Sequence, residues 1–138
     1  LERYSLYEAY EVRQVLETKA MDLIVRNATD SDLDEIETAY QTMLLRFAET
    51  NTTTGEIELH QLYAKKTGSV FMEQTLNIVL STILEMMHTT SHNVMDMHQV
   101  EEEKADHRRI IDALHKRDSS AAQQAMYDHI QHTLDILQ

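Results

Sequence analysis

Apolar residues recur along the chain at intervals of three and four, the spacing that buries one face of an α-helix. One such stripe consists of Leu33, Ile36, Tyr40, Met43, Leu44 and Phe47, and another of Phe71, Leu76, Val79, Leu80, Ile83 and Met87. Nowhere do four or more residues alternate between apolar and polar side chains in the manner of a half-buried strand. The pattern therefore predicts an all-α protein.

Helix-start and helix-stop residues divide the chain into six predicted helices. Thr29 and Asp32 form a capping pattern before the second helix, and Asp118 is predicted to cap the sixth. The predicted helices cover residues 4–26, 30–49, 56–66, 70 to just beyond the segment 88–93, 97–117 and 119–138, and a polar loop covers 50–55. With no linker or internal repeat, we expect one antiparallel bundle of about six helices in a single domain, residues 1–138.

The composition narrows the possible functions. There are 12 Lys and Arg residues against 24 Asp and Glu, a net charge of −12, so a phosphate backbone should repel this chain. The absence of cysteine excludes disulfides and thiolate metal sites. No apolar run approaches the roughly 20 residues that cross a bilayer, so we expect no membrane contact. We expect a cytoplasmic location, with which the absence of cysteine is compatible. The chain begins at Leu1, which suggests a piece of a longer protein.

Polar residues that interrupt buried faces are the best candidates for function. His107 shares its helix face with apolar residues, as does His129, so both imidazoles are predicted to point inward. A single inward histidine is more often a satisfied core residue than a ligand. However, Glu56 and His60 stand four apart on a third helix, and one metal ion would satisfy all of these groups at once. The same spacing is also that of an ordinary helix-surface pair.

Three imidazoles and one carboxylate form a suitable set of ligands for a divalent metal ion. Zinc is the first expectation, with nickel, cobalt or manganese as alternatives. Four protein ligands around a five- or six-coordinate ion would leave positions open for water or for the oxygen atoms of a bound molecule.

Arg13 is a second anomaly, because it lies in the middle of the apolar face of the first helix with Glu17 one turn away. One interpretation is a buried Arg13–Glu17 ion pair. The other is that Arg13 faces a cavity and binds the carboxylate of a ligand, for which its planar guanidinium is suited.

The remaining histidines and a methionine-rich segment are weaker candidates. We expect solvated or peripheral positions for the other five histidines, which are His88, His92, His98, His115 and His132. Core or interface packing is expected for the group of Met86, Met87, Met95 and Met97.

Three segments resemble one protein family. The segment 106–130, DHRRIIDALHKRDSSAAQQAMYDHI, resembles the closing signature of the C-terminal ligand-binding (FCD) domain of FadR-type transcription regulators, in the GntR superfamily. Residues 10–37 resemble the opening helices of that domain, and residues 56–69 resemble its middle motif. The resemblance thus covers nearly the whole chain.

The resemblance implies a helical bundle in which an aspartate and three histidines bind a metal ion, with a small organic acid beside it. Carried over by position, the metal ligands are Glu56, His60, His107 and His129, and Arg13 matches an arginine that lines the pocket in some members. It also implies a homodimer whose DNA binding resides in a winged-helix domain expected before residue 1. Glu56 replaces the usual aspartate, Leu59 the usual phenylalanine and Ser69 the usual asparagine.

These observations predict an effector-sensing and dimerisation domain of a bacterial transcription regulator, not an enzyme. One alternative is a metalloenzyme on a helical bundle, although only one Glu-x-x-His motif is present, at residues 85–88. The other is a metal-free domain that only dimerises. Metal analysis separates this last alternative from the favoured interpretation.

Overall fold

The protein is a bundle of six α-helices in a computed structural model that describes residues 2–50, 54–90 and 97–138. The helices are α1 (Glu2–Asn27), α2 (Asp30–Thr50), α3 (Thr54–Lys66), α4 (Val70–Thr90), α5 (Met97–His115) and α6 (Ser119–Leu137). The described residues contain no strand, and the predicted all-α class is confirmed. Helix α3 begins two residues before the predicted start, so part of the predicted loop 50–55 is helical; residues 51–53 lie outside the described part.

The predicted helix caps are present in the structure. The Thr29 amide donates to Asp32 Oδ2 at 2.9 Å and the Asp32 amide donates to Thr29 Oγ1 at 3.1 Å, which is a reciprocal capping box. The Ser69 hydroxyl accepts from the Met72 amide at 3.2 Å at the start of α4. Because serine caps helices about as well as asparagine, the replacement at position 69 is locally conservative.

Helix α5 ends two residues earlier than the sequence predicted, at His115 and not at Arg117. Arg117 has a positive φ of 52°, and the amide of Asp118 donates to the carbonyl of Ala113 at 3.1 Å. This is the hydrogen-bond pattern of a Schellman motif, which closes a helix with a left-handed residue. Asp118 then accepts from the Ala121 amide and caps α6, as predicted. The turn therefore reverses the chain within three residues.

Short connections determine which helices are neighbours. Residues 28–29, 67–69 and 116–118 join α1 to α2, α3 to α4 and α5 to α6, and such short links make the joined helices antiparallel. Helix α1 packs most extensively on α6 and α4 and also contacts α3 and α5. Helices α1, α3, α5 and α6 can therefore direct side chains toward a common interior.

Most residues of the two predicted apolar stripes are buried, whereas Leu44 and Val79 are half-buried and Phe71, at the start of α4, is 81% exposed. On α6, Ile136 is 55% exposed although it shares the predicted face of His129. Phe71 and Ile136 each lie in a terminal turn of their helix. The replacement residue Leu59 is 1% exposed within the core.

The weaker histidine candidates are peripheral where the structure describes them. His98 and His115 are exposed, and His132 is half-buried. His88, His92, Met95 and Met97 have side chains outside the described residues, whereas Met87 is buried and Met86 half-buried against the core. Among the described residues, no helix combines the length and the apolar character needed to cross a bilayer.

Candidate metal centre

The four residues predicted as metal ligands lie together in the interior of the bundle. The Nε2 atoms of His60, His129 and His107 lie 2.7, 3.1 and 3.8 Å from Glu56 Oε1. One donor atom from each residue can be chosen so that all four atoms lie within 4.8 Å of one another. Glu56 and His60 come from adjacent turns of α3, and α5 and α6 each supply one histidine.

The surroundings of these side chains are almost free of solvent. His60 and His107 are 0% exposed and His129 is 2% exposed, whereas the Glu56 side chain is 9% exposed. Burial of several imidazoles is costly unless their nitrogen atoms have partners. The packing of α3, α5 and α6 against α1 therefore buries a polar cluster whose nitrogen and oxygen atoms must find partners inside the bundle.

Carboxylates orient two of the three imidazoles. Glu17 Oε1 lies 2.6 Å from His60 Nδ1, and Asp106 Oδ2 lies 2.8 Å from His129 Nδ1. Asp106 Oδ2 is also 2.8 Å from Nδ1 of the half-buried His132. A carboxylate at Nδ1 holds the proton on that nitrogen and leaves the lone pair on Nε2 free, which is the arrangement found around metal-binding histidines.

Tyr63 orients the third imidazole. Its hydroxyl oxygen lies 2.9 Å from His107 Nδ1, and its side chain is fully buried. Tyr63 stands one turn after His60 on α3, so a single helix supplies two ligands and the outer partner of a third. In all three histidines Nδ1 is engaged and Nε2 points to the shared centre.

Arg13 forms a buried ion pair with Glu17, which is one of the two interpretations of Arg13 drawn from the sequence. Its Nε donates to Glu17 Oε2 at 2.7 Å, and its Nη2 donates to Glu56 Oε1 at 3.3 Å. The residue is 1% exposed. Arg13 thus lies beside the candidate metal ligands. Its binding of an external anion stays a prediction.

The carboxylates of the cluster are held in their charged form. Burial alone would raise the pKa of Glu17, but the charges of His60 and Arg13 outweigh it and lower that pKa to about 2. Burial likewise opposes ionisation of Glu56, yet the charge of His60 and hydrogen bonds from the histidines hold its pKa well below the usual range. These ionised carboxylates lie where a bound cation would interact with them.

Two buried polar atoms in the cluster have no hydrogen-bond partner within the described part of the chain. They are Nε2 of His107 and Oε2 of Glu103. These atoms are 3.5 Å apart, and Glu103 Oε2 is 3.8 Å from His129 Nε2. Ligands about 2.1 Å from one ion are separated by about 3.0 Å at a right angle and about 4.2 Å when opposite. The residues therefore fit a divalent metal ion.

The sequence alone did not reveal the residues around the ligands. In the sequence, Glu17 is notable only as a partner of Arg13, and the spacing of Tyr63, Asp106 and Glu103 does not by itself indicate a role at the site. One signal was available, because Glu103 precedes His107 by four residues, the same spacing that drew attention to α3. The other contacts join residues far apart in the sequence, so only the packing of the helices shows them.

Known proteins share both the sequence pattern and the fold. The profile of the FCD domain matches residues 8–132. No curated protein sequence matches the chain significantly. The solved structure of Streptococcus agalactiae GntR superposes with a TM-score of 0.79 at 22% identity, over 95% of this chain and 58% of that one. E. coli McbR/YncC superposes with a TM-score of 0.76 at 17% identity, over 94% of this chain and 66% of that one.

The family profile and the two solved structures support the family resemblance seen in the sequence. The chain spans less than two thirds of the length of both solved proteins, and at these identities they establish a shared fold. The profile covers most of the chain and includes all four predicted ligands. The chain belongs to the FCD domain family, and its six-helix bundle is the fold of the effector-binding regulatory domain of GntR-type regulators.

Proposed function

We propose that this chain is the effector-sensing domain of a transcription regulator and that it senses its effector at a metal centre. Glu56, His60, His107 and His129 hold one divalent ion, with zinc as the first candidate. The observation that carries the proposal is the convergence of three buried Nε2 atoms on one carboxylate, with each Nδ1 held by another side chain. A bound divalent ion supplies positive charge and open coordination positions for a ligand oxygen.

The effector in this proposal is a small organic acid. Arg13 and the metal are the positive groups of the site, and both suit a carboxylate. The side chains of Glu56 and Glu103 are 9% and 15% exposed, whereas the three histidines are at most 2% exposed. The carboxylate side of the cluster is therefore less deeply buried than the histidine side, and we propose that the effector approaches from there.

The regulatory consequence depends on a second copy of the chain and on a DNA-binding domain elsewhere in the protein. The effector would favour one arrangement of a homodimer, and only its differential affinity for the two arrangements can shift their populations. Phe71 and Ile78 on α4 are 81% and 69% exposed and stand seven residues apart, so they project from one side of that helix. This apolar side of α4 is our candidate for part of the dimer contact.

Metal analysis of tag-free protein, purified without a metal column, tests the proposal. We expect about one equivalent of a divalent metal per chain, and much less in a His107→Ala variant. His115→Ala removes an exposed histidine and serves as the matched control, with wild-type metal content. Absence of metal after incubation with zinc, nickel, cobalt or manganese would instead favour the metal-free dimerisation module. The regulatory nature of the FCD family argues against the metalloenzyme alternative.

A further inference from the structure

Glu103 lies at the proposed metal centre but is not among the four ligands that the family resemblance implies. It precedes His107 by one helical turn on α5, as Glu56 precedes His60 on α3. The two helices thus present the same pair, a glutamate and a histidine four residues apart, to one point in the interior. This symmetry gives the centre two carboxylates and three imidazoles.

The position of the Glu103 carboxylate is that of a ligand and not that of a hydrogen-bond partner. Its Oε2 lies 3.5 Å from His107 Nε2 and 3.8 Å from His129 Nε2, beyond the usual range for N–H···O bonds. Both Glu103 Oε2 and His107 Nε2 are buried and lack a partner among the described residues, and His107 is 0% exposed. A single ion between these atoms satisfies both of them.

The charges of the cluster also favour a cation bound next to Glu103. The Arg13 guanidinium donates to Glu17 at 2.7 Å and to Glu56 at 3.3 Å, so its positive charge is already shared by two carboxylates. The Glu103 carboxylate has no arginine or lysine partner among the described contacts, and the positive groups nearest to it are the imidazoles of His107 and His129, at 3.5 and 3.8 Å. A buried carboxylate oxygen without a close hydrogen-bond partner is unfavourable. A divalent ion bound by Glu56 and Glu103 would form a neutral unit.

We infer that Glu103 is a fifth ligand of the metal and that it occupies the position which a carboxylate effector must take. The inference rests on the proposed metal centre. With Glu103 bound, the ion carries no excess positive charge toward an organic acid. A carboxylate then binds by displacing Glu103, whose tether to α5 gives it a far higher effective concentration than a dissolved acid. Glu103 thereby sets the threshold concentration for the effector.

Cobalt(II) as the metal probe and acetate as the carboxylate probe test this inference. The visible spectrum of bound cobalt reports the number and type of its ligands, independently of any DNA binding. The proteins are wild type, Glu103→Ala and Glu101→Ala, the last removing an exposed glutamate from the same helix. Circular dichroism and thermal unfolding confirm that each variant is folded.

We expect Glu103→Ala to bind cobalt more than about tenfold more weakly than wild type and to have a different spectrum. Acetate should shift the spectrum of Glu103→Ala toward that of the wild type, at concentrations that leave the wild-type and Glu101→Ala spectra unchanged. A Glu103→Ala protein with wild-type affinity and spectrum, or with a spectrum that does not respond to acetate, would overturn the inference.

A fourth protein separates failure of this inference from failure of the metal centre itself. His107→Ala removes a ligand of the proposed centre and should bind cobalt poorly. If wild type binds no cobalt, or His107→Ala binds it as tightly as wild type, the proposed metal centre is wrong. If only His107→Ala loses cobalt, the metal centre stands and the role of Glu103 is refuted.

Discussion

Replacement of Arg13 by methionine should destabilise the metal-free protein strongly, because it leaves a buried carboxylate without its cation. Arg13 and Glu17 are 1% and 0% exposed, and their side chains meet at 2.7 Å. Methionine has a similar length and no charge, so the substitution removes the ion pair with little change in packing. The loss of stability should therefore arise from the missing ion pair and not from a cavity.

The expected magnitude follows from the partners that Glu17 retains. Breaking a buried ion pair by removing one partner costs about 3–5 kcal/mol. Glu17 keeps its contact with His60 Nδ1 at 2.6 Å, so we expect the lower end, about 3 kcal/mol. For a chain of this size, such a loss corresponds to a decrease in Tm of roughly 10 °C. A second substitution, Glu17→Gln, removes the stranded charge and should recover part of the loss, with a coupling energy of about 1–3 kcal/mol.

Urea unfolding followed by circular dichroism measures these free energies, with a chelator present so that metal binding does not contribute. The series consists of wild type, Arg13→Met, Glu17→Gln and the double variant. Lys19→Met provides the control, since it removes an exposed cation from the same helix and should leave the midpoint unchanged. A loss below about 0.5 kcal/mol in Arg13→Met, or strict additivity in the double variant, would refute the argument.

Three further predictions concern other parts of the molecule. Tyr63→Phe removes the hydroxyl that orients a metal-binding imidazole, so zinc affinity measured by competition with a chromophoric chelator should fall about 10–100-fold, and unchanged affinity would count against that role. In light scattering, Phe71→Asp should shift the protein from dimer toward monomer, whereas Leu45→Asp, at an apolar residue of α2 that is 68% exposed, should not; identical masses would exclude this contact. Hydrogen bonds from Arg108 lower the pKa of Glu37 to about 2, so the pair stabilises the fold above about pH 4.5 and its contribution is lost as the pH falls toward 2. Glu37→Gln should therefore cost about 1 kcal/mol at pH 7 and nearly nothing near pH 2, and a pH-independent difference would contradict this.

The fold could be predicted from the sequence because its signals are local. The periodic stripe of α2 and the Thr29 capping box lie within a few residues of one another, and both are present in the structure. The end of α5 was misplaced because Arg117 is an unusual residue for a left-handed turn, which normally has glycine. Periodicity identifies the apolar face of a helix but not which of its residues other helices cover, so it does not predict that Phe71 is exposed.

Only part of the candidate site can be predicted from the sequence. The ligands interrupt apolar stripes or stand four apart on one helix, and these are patterns that a sequence displays. The histidine partners Glu17 and Asp106 meet their imidazoles across helices, 43 and 23 residues away in the chain, so no spacing rule finds them. The spacing of Glu103 from His107 matches the pair on α3, but charged residues at that spacing are common on helix surfaces, so the sequence does not single out Glu103.

X-ray absorption at the zinc edge of the zinc-loaded chain tests the central claim most directly. We predict a first shell of nitrogen and oxygen atoms at about 2.0–2.2 Å, with the outer-shell scattering of three imidazoles. His107→Ala should show two imidazoles at reduced occupancy. A wild-type spectrum without imidazole scattering, or one that His107→Ala leaves unchanged, would contradict the claim that Glu56, His60, His107 and His129 hold the metal.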